Sequence, residues 1–164
     1  MHSPTRLVAA SSLTCLVFVA ACGGDESTDL SADSAAAVGQ INALCDEWNA
    51  TVEARGEFPL AEFDAERPSP DDLPAVGDYF AAGHPARDEM IAAIGALSVS
   101  SEIQVQFDAL VEALERGQTN AKEQSAAAQA GDVDGFTATL DEADASMQAI
   151  DAAADDLGAS SCSA

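Results

Sequence analysis

Side chains able to do chemistry are few in this 164-residue sequence. Histidine occurs at His2 and His84, and cysteine at Cys15, Cys22, Cys45 and Cys162. Zinc and di-iron sites need several His, Cys or carboxylate ligands at fixed spacing, but no Cys-x-x-Cys and no Glu-x-x-His pair occurs. There is also no Cys-x-x-Cys-His haem motif, no Gly-x-Ser-x-Gly elbow, no P-loop and no dinucleotide fingerprint. His84 directly precedes Pro85, where packing at a helix kink or surface exposure is the simpler role. Asp132-Val133-Asp134-Gly135 opens like a calcium loop, but its glycine stands fourth instead of sixth and leads into helical periodicity. A helix cap at Asp132 fits better. The residues predict no catalytic centre, no metal site and no cofactor.

The elements that carry these residues begin from the charge balance. Acidic side chains number 29 against 6 basic ones, for a formal charge of −23, and 48% of residues are apolar but only 5% aromatic. Phosphate contacts need Lys and Arg that the chain lacks, so nucleic acid is excluded as a partner. A basic membrane-surface helix is excluded on the same ground. The length suits one domain with enough apolar content for a core.

Met1–Arg6 carries one positive charge, and the fifteen residues Leu7–Ala21 carry none. That run is too short to span a bilayer, which takes roughly 20 residues, and reads as a secretory signal peptide. It ends in Val19-Ala20-Ala21-Cys22-Gly23-Gly24. This hexapeptide resembles the lipobox of bacterial lipoproteins. The resemblance implies loss of residues 1–21, a diacylglyceryl group on the Cys22 sulfur, and a membrane partner reached through that lipid on the extracytoplasmic face. The mature chain would keep all 29 acids and five bases, a net −24. Residues 22–33 form the lipidated cysteine and a small, polar, acidic tether, and residues 34–164 the folded domain.

The domain is expected to be all-α, an up-down-up-down four-helix bundle. Val38, Ile41, Cys45, Trp48 and Val52 recur at helical spacing, with Asp33 or Ser34 as cap and Gly56 at the end. Leu73, Val76, Met90, Ile91, Ile94 and Leu97 mark a second helical segment with a kink or break near Gly83-His84. Ser101 and Gln104 fit a capping box opening a third helix with Ile103, Phe107, Leu110 and Leu114. Its stripe thins to Ala121, Ser125 and Ala128, with Gly117 as a weak point, so its second half should bury little. Phe136, Leu140, Ala143, Met147, Ile150, Ala154 and Leu157 mark the fourth helix, closed by Gly158. Met90 and Met147 are expected in the core.

In an exported chain Cys45 and Cys162 are expected to pair, because the fourth helix of such a bundle ends near where the first begins. The other reading is two unpaired thiols with Cys45 buried. The lipobox, Cys45, the Gln129-Ala130-Gly131-Asp132 turn and Leu157-Gly158 leading to Cys162 together resemble small exported lipoproteins of high-GC Gram-positive bacteria. That resemblance implies location and fold, and no catalytic residues.

Two features invite a functional reading. The connection Gly56–Pro70 is long for a bundle and carries Phe58, Leu60 and Phe63, either a plug for the bundle's open end or a partner-binding loop. Glu57, Glu62, Asp64, Glu66, Asp71, Asp72, Asp132 and Asp134 would gather at the membrane-distal end, either as a solvated acidic face or as a site for a divalent cation or protein partner. The function expected is a membrane-anchored, non-enzymatic binding or interaction module. The alternative is a solute- or cation-binding component associated with a transporter. A ligand-sized cavity between the helices discriminates the two.

Overall fold

The computed structural model describes residues 30–60 and 63–163. The leader, Cys22 and most of the tether lie outside the described residues. Every long element among the described residues is a helix: α1 (Ala32–Ala54), α2 (Leu73–Ala81), α3 (His84–Gly95), α4 (Gln104–Gln129), α5 (Val133–Ala138) and α6 (Leu140–Leu157), followed by a 3₁₀ turn at Ser160–Cys162. The four expected helical segments are present as an all-α bundle, two of them interrupted. Pro85, in the first turn of α3, separates α3 from α2 as expected, since it offers no N–H to a continuing helix. The break between α5 and α6 was not expected. There the Thr139 hydroxyl donates to the Phe136 carbonyl at 2.7 Å, competing with the helical ladder.

Helix ends follow the sequence better than helix starts. Gly56, Gly131 and Gly158 terminate their helices with φ of +81°, +66° and +78°, the left-handed conformation that glycine adopts without steric cost. Asp132 caps α5 by accepting from the Gly135 N–H at 2.9 Å. The α1 cap is Ser31, neither Asp33 nor Ser34, so the helix begins two residues before position 34. Ser34 is fully buried and hydrogen-bonds Ser100 and Glu102. Glu102 also accepts from the Ser31 backbone and hydroxyl, tying the start of α1 to the α3–α4 connection. The Ser101–Gln104 capping box does not form: α4 starts after Ile103, and the Gln104 amide donates to Asp108.

Two apolar clusters hold the bundle. The larger joins Ile41 and Cys45 of α1, Met90, Ile91 and Ile94 of α3, Phe107, Leu110 and Leu114 of α4, and Ile150, Ala154 and Leu157 of α6. The smaller joins Leu73 and Val76 of α2 with Ala128 and Phe136. Phe58, Leu60 and Phe63 pack against this second cluster, with Phe58 ringed by Phe63, Tyr79 and Phe80 at centroid distances of 5.6, 5.2 and 6.0 Å. Phe58, Leu60 and Phe63 therefore fold inward as a plug. Where α2 meets α4 the backbones touch: a Cβ on Gly77 would stand 2.6 Å from Gln129 N and 2.8 Å from Ser125 O. The second half of α4, expected to bury little, buries Gln118, Ser125 and Ala128.

Cys45 and Cys162 form a disulfide across 117 positions of sequence. Asn42 and Asn49, one turn before and after Cys45, grip the same terminal turn. The Ser161 N–H donates to Asn42 Oδ1 at 2.9 Å, and Asn49 Nδ2 donates to the Ser161 carbonyl at 3.0 Å. Among the described residues no helix is long and apolar enough to cross a membrane.

Candidate functional site

Between the two apolar clusters lies a cavity of about 320 Å³. Trp48 of α1, Phe80 and Gly83 around the end of α2, and His84 and Arg87 of α3 form one side. Gly117, Asn120, Ala121 and Gln124 of α4 face Ala143, Ser146, Met147 and Ile150 of α6. The space exists because small residues meet here: the α4 stripe has narrowed to glycine and alanine, and α6 answers with Ala143 and Ser146. A volume of this size, apolar with a few polar groups, is typical of a small-molecule site.

Arg87 is the one charged side chain among the described residues of the cavity wall. A Cβ on Gly117 would lie 3.2 Å from Arg87 Nη2, so the guanidinium rests over the bare backbone of α4. Burial pushes the Arg87 pKa down, as expected when a cation loses water. An arginine nevertheless keeps its charge at neutral pH. The other described Arg and Lys side chains have partners of their own, although Arg55 stands behind the same wall, where a Cβ on Gly83 would lie 2.5 Å from its Nη1. Arg55 stacks on Trp48 and Tyr79 with Cζ 5.5 and 5.2 Å from the ring centroids. Arg67, Arg116 and Lys122 pair with Asp64, Glu112 and Asp88, and Arg87 is in none of these ion pairs among the described residues.

His84 Nε2 stands 2.9 Å from Ser125 Oγ, the spacing of a nucleophile and its base. The hydrogen bonding supports a structural role instead. Ser125 donates its one hydroxyl proton to the Ala121 carbonyl at 2.8 Å, so its oxygen accepts from a protonated Nε2. Ser125 is also only 2% exposed. Burial, then the nearby Lys122 ammonium, holds the His84 pKa below its ordinary value, which favours the neutral ring. His84 thus packs the α2–α3 break, and Gln118 Nε2 ties its carbonyl to Asp88. Ser146 is spent in the same way, donating to the Glu142 carbonyl while accepting from the Asn120 amide.

The residues singled out in the sequence lie mostly elsewhere. Cys45 and Cys162 form the disulfide, and Phe58, Leu60 and Phe63 the plug. Cys22 lies outside the described residues, as does Glu62. At the acidic end Asp64 accepts from the Glu66 and Arg67 backbone and from Arg67 Nε, and Asp132 is occupied as a cap. Among the described residues no group of three or more His, Cys, Asp or Glu could hold a metal ion. Met147, expected in the core, is 51% exposed at the cavity instead. Arg87, Asn120 and Gln124 were not anticipated. The Arg87 signal was present: it precedes Met90, Ile91 and Ile94 by three, four and seven positions, which sets a cation on an apolar face. No protein-family model, curated protein or solved structure matches the chain.

Proposed function

We propose that this chain is a lipid-anchored, extracytoplasmic binding protein without catalytic activity, and that it receives a small solute in the cavity between α3, α4 and α6. The lipobox-like Val19–Gly24 supports the anchor, with Cys22 as the acylated residue. The observation that carries the ligand reading is the cavity itself: about 320 Å³, opened by small residues, rimmed by an exposed methionine and holding one buried-side cation. Of the two functions read from the sequence, this favours solute binding, alone or in service of a transporter, over a purely protein-binding surface. The hydrogen bonding of Ser125 to the Ala121 carbonyl and to His84 supports a structural role for that pair.

The full-length protein should fractionate with membranes, and Cys22→Ala should release it to the soluble fraction. Native mass spectrometry of the detergent-extracted protein should show a small bound molecule, absent from an Ala121→Phe variant that fills the cavity. Soluble wild-type protein would refute the anchor, and identical empty spectra from wild type and Ala121→Phe would refute the ligand site.

A further inference from the structure

We infer that the cavity selects a small organic carboxylate carried on an apolar body, with Arg87 as the group that receives the carboxylate. This rests on the cavity being a ligand site and adds the chemistry of what it takes. In a chain with 29 acidic residues, none of the described residues lining the cavity is acidic. The one charge there is Arg87, and it belongs to none of the ion pairs among the described residues, whereas Arg55, Arg67, Arg116 and Lys122 are all otherwise engaged. A guanidinium offers a planar fork of donors that matches a carboxylate edge. Held partly out of water over Gly117, it has already lost hydration that an incoming anion replaces. Gln124 adds a neutral amide to the wall. The rest of the wall, including Trp48, Phe80, Met147 and Ile150, suits an apolar body. A cationic ligand would meet Arg87, with Arg55 behind Trp48 and Gly83 and no carboxylate among the described wall residues to offset them.

Trp48 is the only tryptophan of the chain and lines the cavity, so its fluorescence reports binding directly. The full-length protein in detergent is titrated with phenylacetate and hexanoate, and with the isosteric phenylacetamide and hexanamide. Loss of one charge-assisted pairing corresponds to about tenfold or more in affinity, so the carboxylates should bind tighter than the amides by that factor. Arg87→Met should abolish the preference and Arg87→Lys should restore part of it, with circular dichroism verifying the fold. If Arg87→Met does not fold, the wild-type preference and Arg87→Lys decide. Amides that bind as well as carboxylates would overturn the carboxylate assignment and leave the cavity as a ligand site. No response to either series at millimolar concentration would overturn both.

Discussion

The guanidinium of Arg87 lies over Gly117, close enough that a Cβ at position 117 would stand 3.2 Å from Nη2 and 2.9 Å from Ile150 Cδ1. The glycine in mid-helix is thereby explained. It weakens α4 by about 1 kcal/mol relative to alanine but makes room for a cation on the inner face of α3. Gly117→Ala should leave the melting temperature within a few degrees of wild type, because the helix gains propensity while two flexible side-chain ends move aside. It should shift Arg87, and the Trp48 response to phenylacetate should weaken. Calorimetry and a fluorescence titration on the same sample measure both effects.

Gly77→Ala should behave differently. The atoms its Cβ would meet, Gln129 N and Ser125 O, are backbone and cannot step aside. Overpacking of this kind costs about 1–3 kcal/mol. Urea unfolding should show a clear loss for Gly77→Ala where Gly117→Ala shows little.

The Cys45–Cys162 disulfide closes nearly the whole domain, with 117 positions between its ends. The chain-entropy model assigns a loop of that size about 4–5 kcal/mol. Reduction, Cys45→Ala and Cys162→Ala should therefore each lower the unfolding free energy by a similar amount, read from urea midpoints with and without reductant. Asn42 and Asn49 should keep the terminal turn docked in the folded state of all three.

Phe58→Ser with Phe63→Ser should remove the aromatic plug from the second cluster. Full burial of one such ring is worth about 3–5 kcal/mol, and these two are half-buried, so their joint loss should cost about 3–5 kcal/mol by the same measure. Thermal denaturation of the double variant measures it.

Two acid-sensitive windows follow from the ionisable groups. His84 has its pKa lowered from 6.5 by burial and by Lys122, so the folded protein binds fewer protons than the unfolded chain just below that pH. Its contribution is complete above pH 6.5 and declines as pH falls through the depressed folded value. Glu102 is lowered from 4.5 by hydrogen bonds from Ser34 and then Ser31, so its contribution is complete above pH 4.5 and is lost below. Melting temperature against pH should lose the first decline in His84→Gln and the second in Glu102→Gln.

Much of the fold was legible because it depends on local chemistry. The apolar stripes of α1 and α4, the positive-φ glycines, the Asp132 cap and the Pro85 break all depend on residues within a few positions of one another. The α5–α6 break escaped because it needs one hydroxyl orientation at Thr139. The site was less legible for a different reason. Arg87 on an apolar face could be read from spacing alone, but what lies opposite it could not. Gly117 is thirty positions away on another helix, and small residues at Ala121 and Ala143 signal either close packing or space until both helices are placed. At Gly77 the outcome was close packing, and at Gly117 it was a cavity.

The space beside Trp48 and Arg87 is proposed to hold a small molecule. The most direct test is the fluorescence of Trp48 as the purified protein is titrated with the small-molecule fraction of the cells that make it. The expected result is a saturable change, competed by phenylacetate and lost in Ala121→Phe. An emission that does not change, or that changes equally in Ala121→Phe, would contradict it.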